Sequence, residues 1–360
     1  MHFHADQNFS PLRPLIVMEP GKSATLFFLG KNKELYCKRY HLSSGWSTVQ
    51  KLSAEVSIYT ASRGMGNTIF LVAADHRGNL KLRTKTGAAW EESFFHRENK
   101  NRRINQIQLV GDYRGTMHLL YFLSSAREEQ WWLKHHYFHD NRWRGPGIID
   151  FGGGGNTNHG HAVIDKNNEL HIVYNFRERG RTPLCHRTFS LIEKRWSKAT
   201  ILAGGQNNFY PFLGEDADAN LHLAWCSGYR KCHTLNYCRK IEEKRLPGQK
   251  WLPTIEFPFS ATDRIFPFLE IDRRTLKINW ITQNILRQRI SYDRGSHWEK
   301  MPRNMQNRKT LLLALISPTD WNGLPRLQWA AFNRGSSVEH FVEEHLRFRK
   351  RNNPRGIFTG

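Results

Sequence analysis

The sequence predicts an all-β chain: a single seven-bladed β-propeller with four-stranded antiparallel blades. Three observations predict it. A segment made of a turn and a period-two strand recurs along the chain, a tryptophan follows each clear copy after a further strand-like segment, and no long stretch carries an apolar 3.6-residue period. A six-bladed ring with an extra terminal element is the alternative that the same pattern allows.

The clearest copies run from Asp112 to Tyr121 (DYRGTMHLLY), Asp165 to Tyr174 (DKNNELHIVY) and Asp216 to Trp225 (DADANLHLAW). A fourth, Asp272 to Trp280 (DRRTLKINW), is one residue shorter. Each reads as an Asp-led turn and then a strand. With the histidine of the first copy as marker, the equivalents are Phe27, Phe70, His118, His171, His222, Lys277 and Gln328, spaced 43 to 55 residues apart. That spacing suits one propeller blade per unit.

A leucine-led segment follows each of the first six markers, at Leu35, Leu80, Leu133, Leu184, Leu235 and Leu286, and reads as a third strand, with Val338 the candidate start after the seventh. Trp46, Trp90, Trp143, Trp196, Trp251 and Trp298 come next and open a fourth. In the unit of His171 the expected strands lie near Ala162–Ile164, Leu170–Tyr174, Leu184–Phe189 and Trp196–Leu202. The seventh unit lacks its tryptophan; the segment around Phe3–Phe9 is expected to complete it, since closing the ring removes open sheet edges. Residues 1–335 thus form the propeller. Residues 336–360 form a basic C-terminal segment, either the last blade's third strand or a short helix with a tail.

The turn before Trp298 carries Ser291, Asp293, Gly295 and Trp298 in the spacing S-x-D-x-G-x-x-W, the Asp-box pattern. Gly87-Ala-Ala-Trp90 keeps its last half. Across roughly residues 15–335 the chain resembles the BNR-repeat, sialidase-like propellers. The resemblance implies a structural box: Asp and Ser bond turn backbone, Gly takes positive φ, and Trp wedges between blades.

Lys and Arg number 54 against 32 Asp and Glu, a formal charge of +22. A field of that sign draws phosphates, sulfates and carboxylates. The first residues show no basic segment with an apolar run, no stretch reaches the length of a membrane span, and the five cysteines form no C-x-x-C pair. The expectation is therefore a cytoplasmic monomer with free thiols and no membrane span.

The function expected from these features is non-enzymatic: a binding platform for an acidic polymer (nucleic acid or acidic polysaccharide) or an acidic protein. In a propeller the loops joining second to third strands share one end with the connections into each first strand. Basic, amide and aromatic residues gather in those loops. The candidate ligand-binding residues are Asn158, His159, Arg177, Arg179, Arg181, Asn208, Tyr210, Tyr229, Arg230, Lys231 and Arg264, and Arg347, Arg349, Lys350, Arg351 and Arg355 form a polyanion-binding tail. No catalytic residue, cofactor or metal is assigned. His118, His171 and His222 share one repeat slot with Phe27, Phe70 and Lys277, which points to a structural role. Two alternatives stand beside this reading. One is a sialidase-like hydrolase, or a polysaccharide lyase using His159 and Tyr210, acting on acidic glycans; Arg264 resembles the R-I-P arginine of the sialidases but lies in the sixth unit. The other is a scaffold for protein partners.

Overall fold

A computed structural model describes residues 14–333, apart from segments 20–22, 88, 99–101, 113, 126–128, 155–158, 179, 230–231, 242–249, 260–265, 273–274, 283–284, 301–310 and 318–327, together with residues 342–343. The described chain is built almost wholly of strands arranged as six sheets. In five of these sheets the strands pair antiparallel with neighbours close in sequence, so each of the five is one repeat of the sequence. The first strands, Leu15–Glu19, Val56–Arg63, Arg102–Gly111, Gly160–Ile164, Asn208–Glu215 and Phe266–Ile271, neighbour one another in that order around the ring. This is a β-propeller.

Markers Phe27, Phe70, His118, His171, His222 and Lys277 all fall on second strands, and the leucine-led segments form or lie within third strands. The unit of His171 has strands Gly160–Ile164, Leu170–Asn175, Leu184–Ser190 and a fourth split into Arg195–Trp196 and Thr200–Ala203. Gln328 opens the second strand of a hairpin, Leu311–Ser317 with Gln328–Asn333, but this hairpin is not a separate sheet. Leu311–Ser317 pairs in parallel with Leu15–Glu19, placing the last unit and the first in one seven-stranded sheet. The ends of the ring therefore meet through this parallel ladder. The segment Phe3–Phe9 lies outside the described residues. Of the C-terminal segment, Val342 and Glu343 have helical backbone; Val342 is buried in the first blade's core, and Glu343 accepts the Trp46 indole N–H at 2.9 Å.

The fourth-strand tryptophans join blades. Trp90 meets Phe27 of the preceding blade edge-on at 5.8 Å, Trp143 meets Phe70 at 6.5 Å, Trp196 meets His135 at 5.3 Å and Trp251 meets His186 at 5.3 Å. Trp298 meets Tyr237 at 4.7 Å. Such edge-on pairs add to the burial of large aromatic area. The Asp-box geometry explains how Trp298 is aimed. Ser291 Oγ donates to Asp293 at 2.8 Å and accepts the Gly295 N–H at 2.7 Å, while Asp293 Oδ1 accepts the N–H of His297 at 2.8 Å. Gly295 has φ +88°, and a methyl group there would overlap the Tyr237 hydroxyl, so only glycine fits.

The first strands are stitched by side chains. Gln106 bonds both the N–H and the C=O of Gly160 on the next blade, at 2.9 and 2.5 Å, and Gln108 does the same to Ala162 at 3.0 and 2.7 Å. These amides take the place of a backbone ladder between neighbouring first strands, satisfying groups that face the ring's interior.

Candidate functional site

His159 directly precedes the fourth blade's first strand, and its ring packs on Tyr210 of the fifth blade's first strand, centroid to centroid 4.4 Å. Two residues along each strand, His161 stacks on Phe212 at 4.1 Å. This is the period-two register expected of facing strands. The Tyr210 ring also packs on Phe266, the first residue of the sixth blade's first strand, at 4.2 Å. Tyr210 therefore links three blades, and both partners are largely covered, His159 at 7% and Tyr210 at 2% exposure.

Tyr210 has φ +52°, in the left-handed region. The strand register moves from Phe209–Cys226 to Phe212–Ala224, so Tyr210 and Pro211 together oppose one residue in a bulge. Pro211 brings no N–H to the ladder, which suits a bulge. An aromatic residue held there costs about 1–3 kcal/mol, and such strain gathers at functional positions.

A buried amide network supports the pair. Asn175 Oδ1 accepts the His159 N–H at 2.6 Å, and the Asn175 amide group donates to the Asn208 carbonyl. Asn208 is itself held on three sides. Its N–H donates to Thr182 Oγ1 at 2.6 Å, its side chain donates to the Thr182 carbonyl at 2.8 Å, and it accepts the Trp225 indole N–H at 2.9 Å. The Asn208 side chain is thus engaged by the protein and braces the site, in contrast to the ligand contact expected of it.

Exposed Arg177 and Arg181 lie on the loop joining the fourth blade's second and third strands. Glu178 and Arg181 exchange two backbone hydrogen bonds of 2.8 Å, which fold this loop into a tight turn. Its start is anchored by Phe176 stacking on Trp131 at 5.1 Å. The glycine run is packed here too: Gly152 lies against the Trp131 ring, and Gly154, with φ +106°, leaves no room for a side chain beside the Arg177 carbonyl. Tyr229 ends the fifth blade's second strand. Asn158, Arg179, Arg230, Lys231, Arg264 and the tail residues Arg347, Arg349, Lys350, Arg351 and Arg355 lie outside the described residues. Of the predicted residues, then, His159, Asn208 and Tyr210 come together, at the ring end that carries the loop of Arg177 and Arg181. Asn175 and Thr182 are added by the structure. Asn175 had a sequence signal: it puts an amide where the repeat elsewhere has Ala74, Phe122 or Cys226.

The repeat histidines face the other end. His171 and His222 direct Nε2 to Asp165 and Asp216 at 3.3 and 3.1 Å, while Asp165 Oδ1 accepts the Glu169 N–H at 2.7 Å and Asp216 Oδ1 the Asn220 N–H at 2.9 Å. The dyad braces each Asp-led turn against its strand. Asp165, Glu169 and His171 offer ligand atoms within 4.8 Å of one another. The same Asp–His geometry with Asn220 in place of Glu169 serves the fifth blade, so a turn brace accounts for the cluster.

Tyr121 donates to Glu98 at 2.8 Å, a pairing reminiscent of a tyrosine–carboxylate nucleophile, but its surroundings make it a strut. Both Glu98 oxygens accept from Lys134 at 2.8 Å, and His136 bonds the Tyr121 oxygen at 3.0 Å. Burial alone would raise the Glu98 carboxyl; the bonds from Lys134 and Tyr121 outweigh it and hold it below its usual range. Glu98 connects the second blade to Tyr121 and Lys134 of the third. Glu98→Gln removes the charge opposite buried Lys134 and is expected to destabilise the fold by about 1.5–3 kcal/mol, read as a lower urea midpoint. An unchanged midpoint would count against the strut.

No known protein family matches the sequence, and no curated protein matches it. Solved structures do. A lectin from Burkholderia pseudomallei, BP39L, superposes with TM-score 0.61 at 10% identity, covering 89% of this chain and 96% of its own. The polysaccharide lyase Uly1 superposes with TM-score 0.58 at 8% identity, covering 93% and 91%. An α-L-arabinanase from Penicillium chrysogenum, solved with arabinobiose, gives 0.51 at 13%, covering 76% and 92%. At these identities the likeness establishes the propeller fold. It also overturns the expectation of a non-enzymatic binder for polyanions in general, because glycan-cleaving enzymes stand among the structures that share this architecture. Among the described residues, no helix is long and apolar enough to cross a membrane.

Proposed function

We propose that this chain is a BNR-type propeller enzyme that cleaves acidic polysaccharide by β-elimination. Elimination on a uronate unit needs three things. A base takes the proton at C5, a cation or donor stabilises the charge that spreads onto the carboxylate, and an acid protonates O4 as the C4–O bond breaks and a C4–C5 double bond forms. A neutral imidazole can accept a proton and a phenol can donate one. His159 fills the first role, Tyr210 the third, and the exposed guanidiniums of Arg177 and Arg181 suit bidentate capture of the carboxylate.

The observation that carries the reading is the 4.4 Å packing of His159 on a conformationally strained Tyr210, at the ring end where the arginine loop lies. The net charge of +22 supports an acidic polymer as substrate. Hydrolysis, which uses two carboxyl groups across the scissile bond, is the alternative that the test separates. The test is turnover on a panel of uronate-containing polysaccharides. Elimination yields new reducing ends together with ultraviolet absorbance from the unsaturated sugar. Reducing ends without that absorbance would establish hydrolysis, and no cleavage of any polymer would remove the proposal.

A further inference from the structure

We propose that Asn175 is the positioning residue that sets His159 against Tyr210, a role that rests on the elimination chemistry proposed above. His159 and Tyr210 belong to different sheets, so neither sheet's own ladder fixes the gap between them. Asn175 bridges it. Its backbone N–H donates to the His159 carbonyl at 2.9 Å, and its side-chain oxygen accepts the His159 N–H at 2.6 Å. Both backbone groups of His159 are thereby gripped by one residue. The remaining amide group of Asn175 donates across the blade boundary to the carbonyl of Asn208, two residues before Tyr210. Asn208 is pinned by Thr182 and Trp225, so the bridge ends on a fixed point.

The repeat shows that the sheet does not require this amide. Four residues after the marker, the equivalent second-strand positions hold Ala74, Phe122, Cys226 and Ile281, of which the first three are buried as Asn175 is. An apolar side chain therefore satisfies the fold at this slot. The fourth blade alone among these places a buried amide there, beside the histidine–tyrosine pair that joins the fourth and fifth blades. A buried polar group that the architecture does without elsewhere is best explained by what it holds.

Asn175→Ala and Asn175→Cys copy the residues of the second and fifth blades, so the slot accepts both. Each is assayed for kcat and KM on a uronate polymer, for thermal unfolding, and by NMR for the cross-peak between selectively labelled His159 and Tyr210 rings. Displacement of about 1 Å in a reacting group costs about 10²-fold in rate. The expected result is therefore a kcat lower by about 10²-fold, a nearly constant KM, a cooperative melt and a weakened cross-peak. Cys226→Ala, at the same slot of the next blade, is expected to leave kcat unchanged. An unchanged kcat with an intact cross-peak in both variants would overturn the assignment. If the wild-type chain cleaves no uronate polymer, the elimination reading fails by itself, and the cross-peak alone decides the role of Asn175: weakened supports it, intact sinks it.

Discussion

Replacing Tyr210 by Phe is expected to lower turnover on a uronate polymer by about 10²–10⁴-fold, the usual contribution of a placed general acid. The substitution removes a single oxygen. The ring keeps its packing on His159 and Phe266, and the bulge that gives Tyr210 its positive φ depends on Pro211 and the shifted register, which the substitution leaves in place. Binding of an uncleaved oligosaccharide is expected to persist, because Arg177 and Arg181 are untouched. The loss should therefore appear in kcat with little change in KM, the signature of an interaction made in the transition state. Arg181→Ala serves as the contrast, since removing a carboxylate contact weakens binding as well. Retention of full turnover by Tyr210→Phe would take the phenol out of the chemistry, whatever the fate of the arginine variant.

How much of this was legible in the sequence follows from which residues answer to the repeat. The second strands at His118, His171 and His222, the leucine-led third strands and the wedging tryptophans were readable because each position is set by a periodic constraint and is copied from blade to blade. The ring closure was not, because the parallel ladder between Leu15–Glu19 and Leu311–Ser317 joins segments nearly 300 residues apart and carries no turn signal. The site was half legible. His159, Tyr210, Arg177 and Arg181 stood out as polar or aromatic residues on loops of one end. Asn208 was read as a ligand contact because its burial depends on Thr182 and Trp225, which meet it only in the folded chain. The strut of Glu98, Tyr121 and Lys134 was invisible for the same reason: its members come from two blades. The functional reading went astray on charge. A net charge of +22 speaks to the sign of a partner and is silent on whether a bond is broken.

Acidification is expected to unfold this protein between about pH 6.5 and 4. His118, His135, His136, His161 and His186 are buried, and burial pushes each imidazole below its ordinary value, His136 and His161 down to about 3. In the unfolded chain these rings take a proton near pH 6.5. Below that pH the unfolded state binds more protons than the folded one, so stability is complete above about 6.5 and falls with pH until the folded values are reached. At pH 5 a ring with a folded value near 3 costs about 2 kcal/mol of stability, so His136 and His161 together account for about 4 kcal/mol, a large share of the stability of a typical domain, and the other three rings act in the same direction. The acids act in the same direction lower down. Burial opposes ionisation of Asp112, Asp165 and Asp216, but bonds from their histidines and turn N–H groups prevail and hold them below the usual range. Their stabilisation is lost as pH falls through those lowered values. The measurement is the melting temperature at half-unit steps from pH 7.5 to 4, with His161→Phe as the informative variant. His161 stacks on Phe212 and makes one modest bond, to the Leu213 N–H at 3.3 Å, so a phenyl ring keeps the stacking and removes the titration. Its melting curve should decline less steeply below pH 6.5. A wild-type melting temperature that stays level from pH 7 to 5 would mean that these rings do not remain neutral in the fold, and the buried pair His118–His135 would need another account.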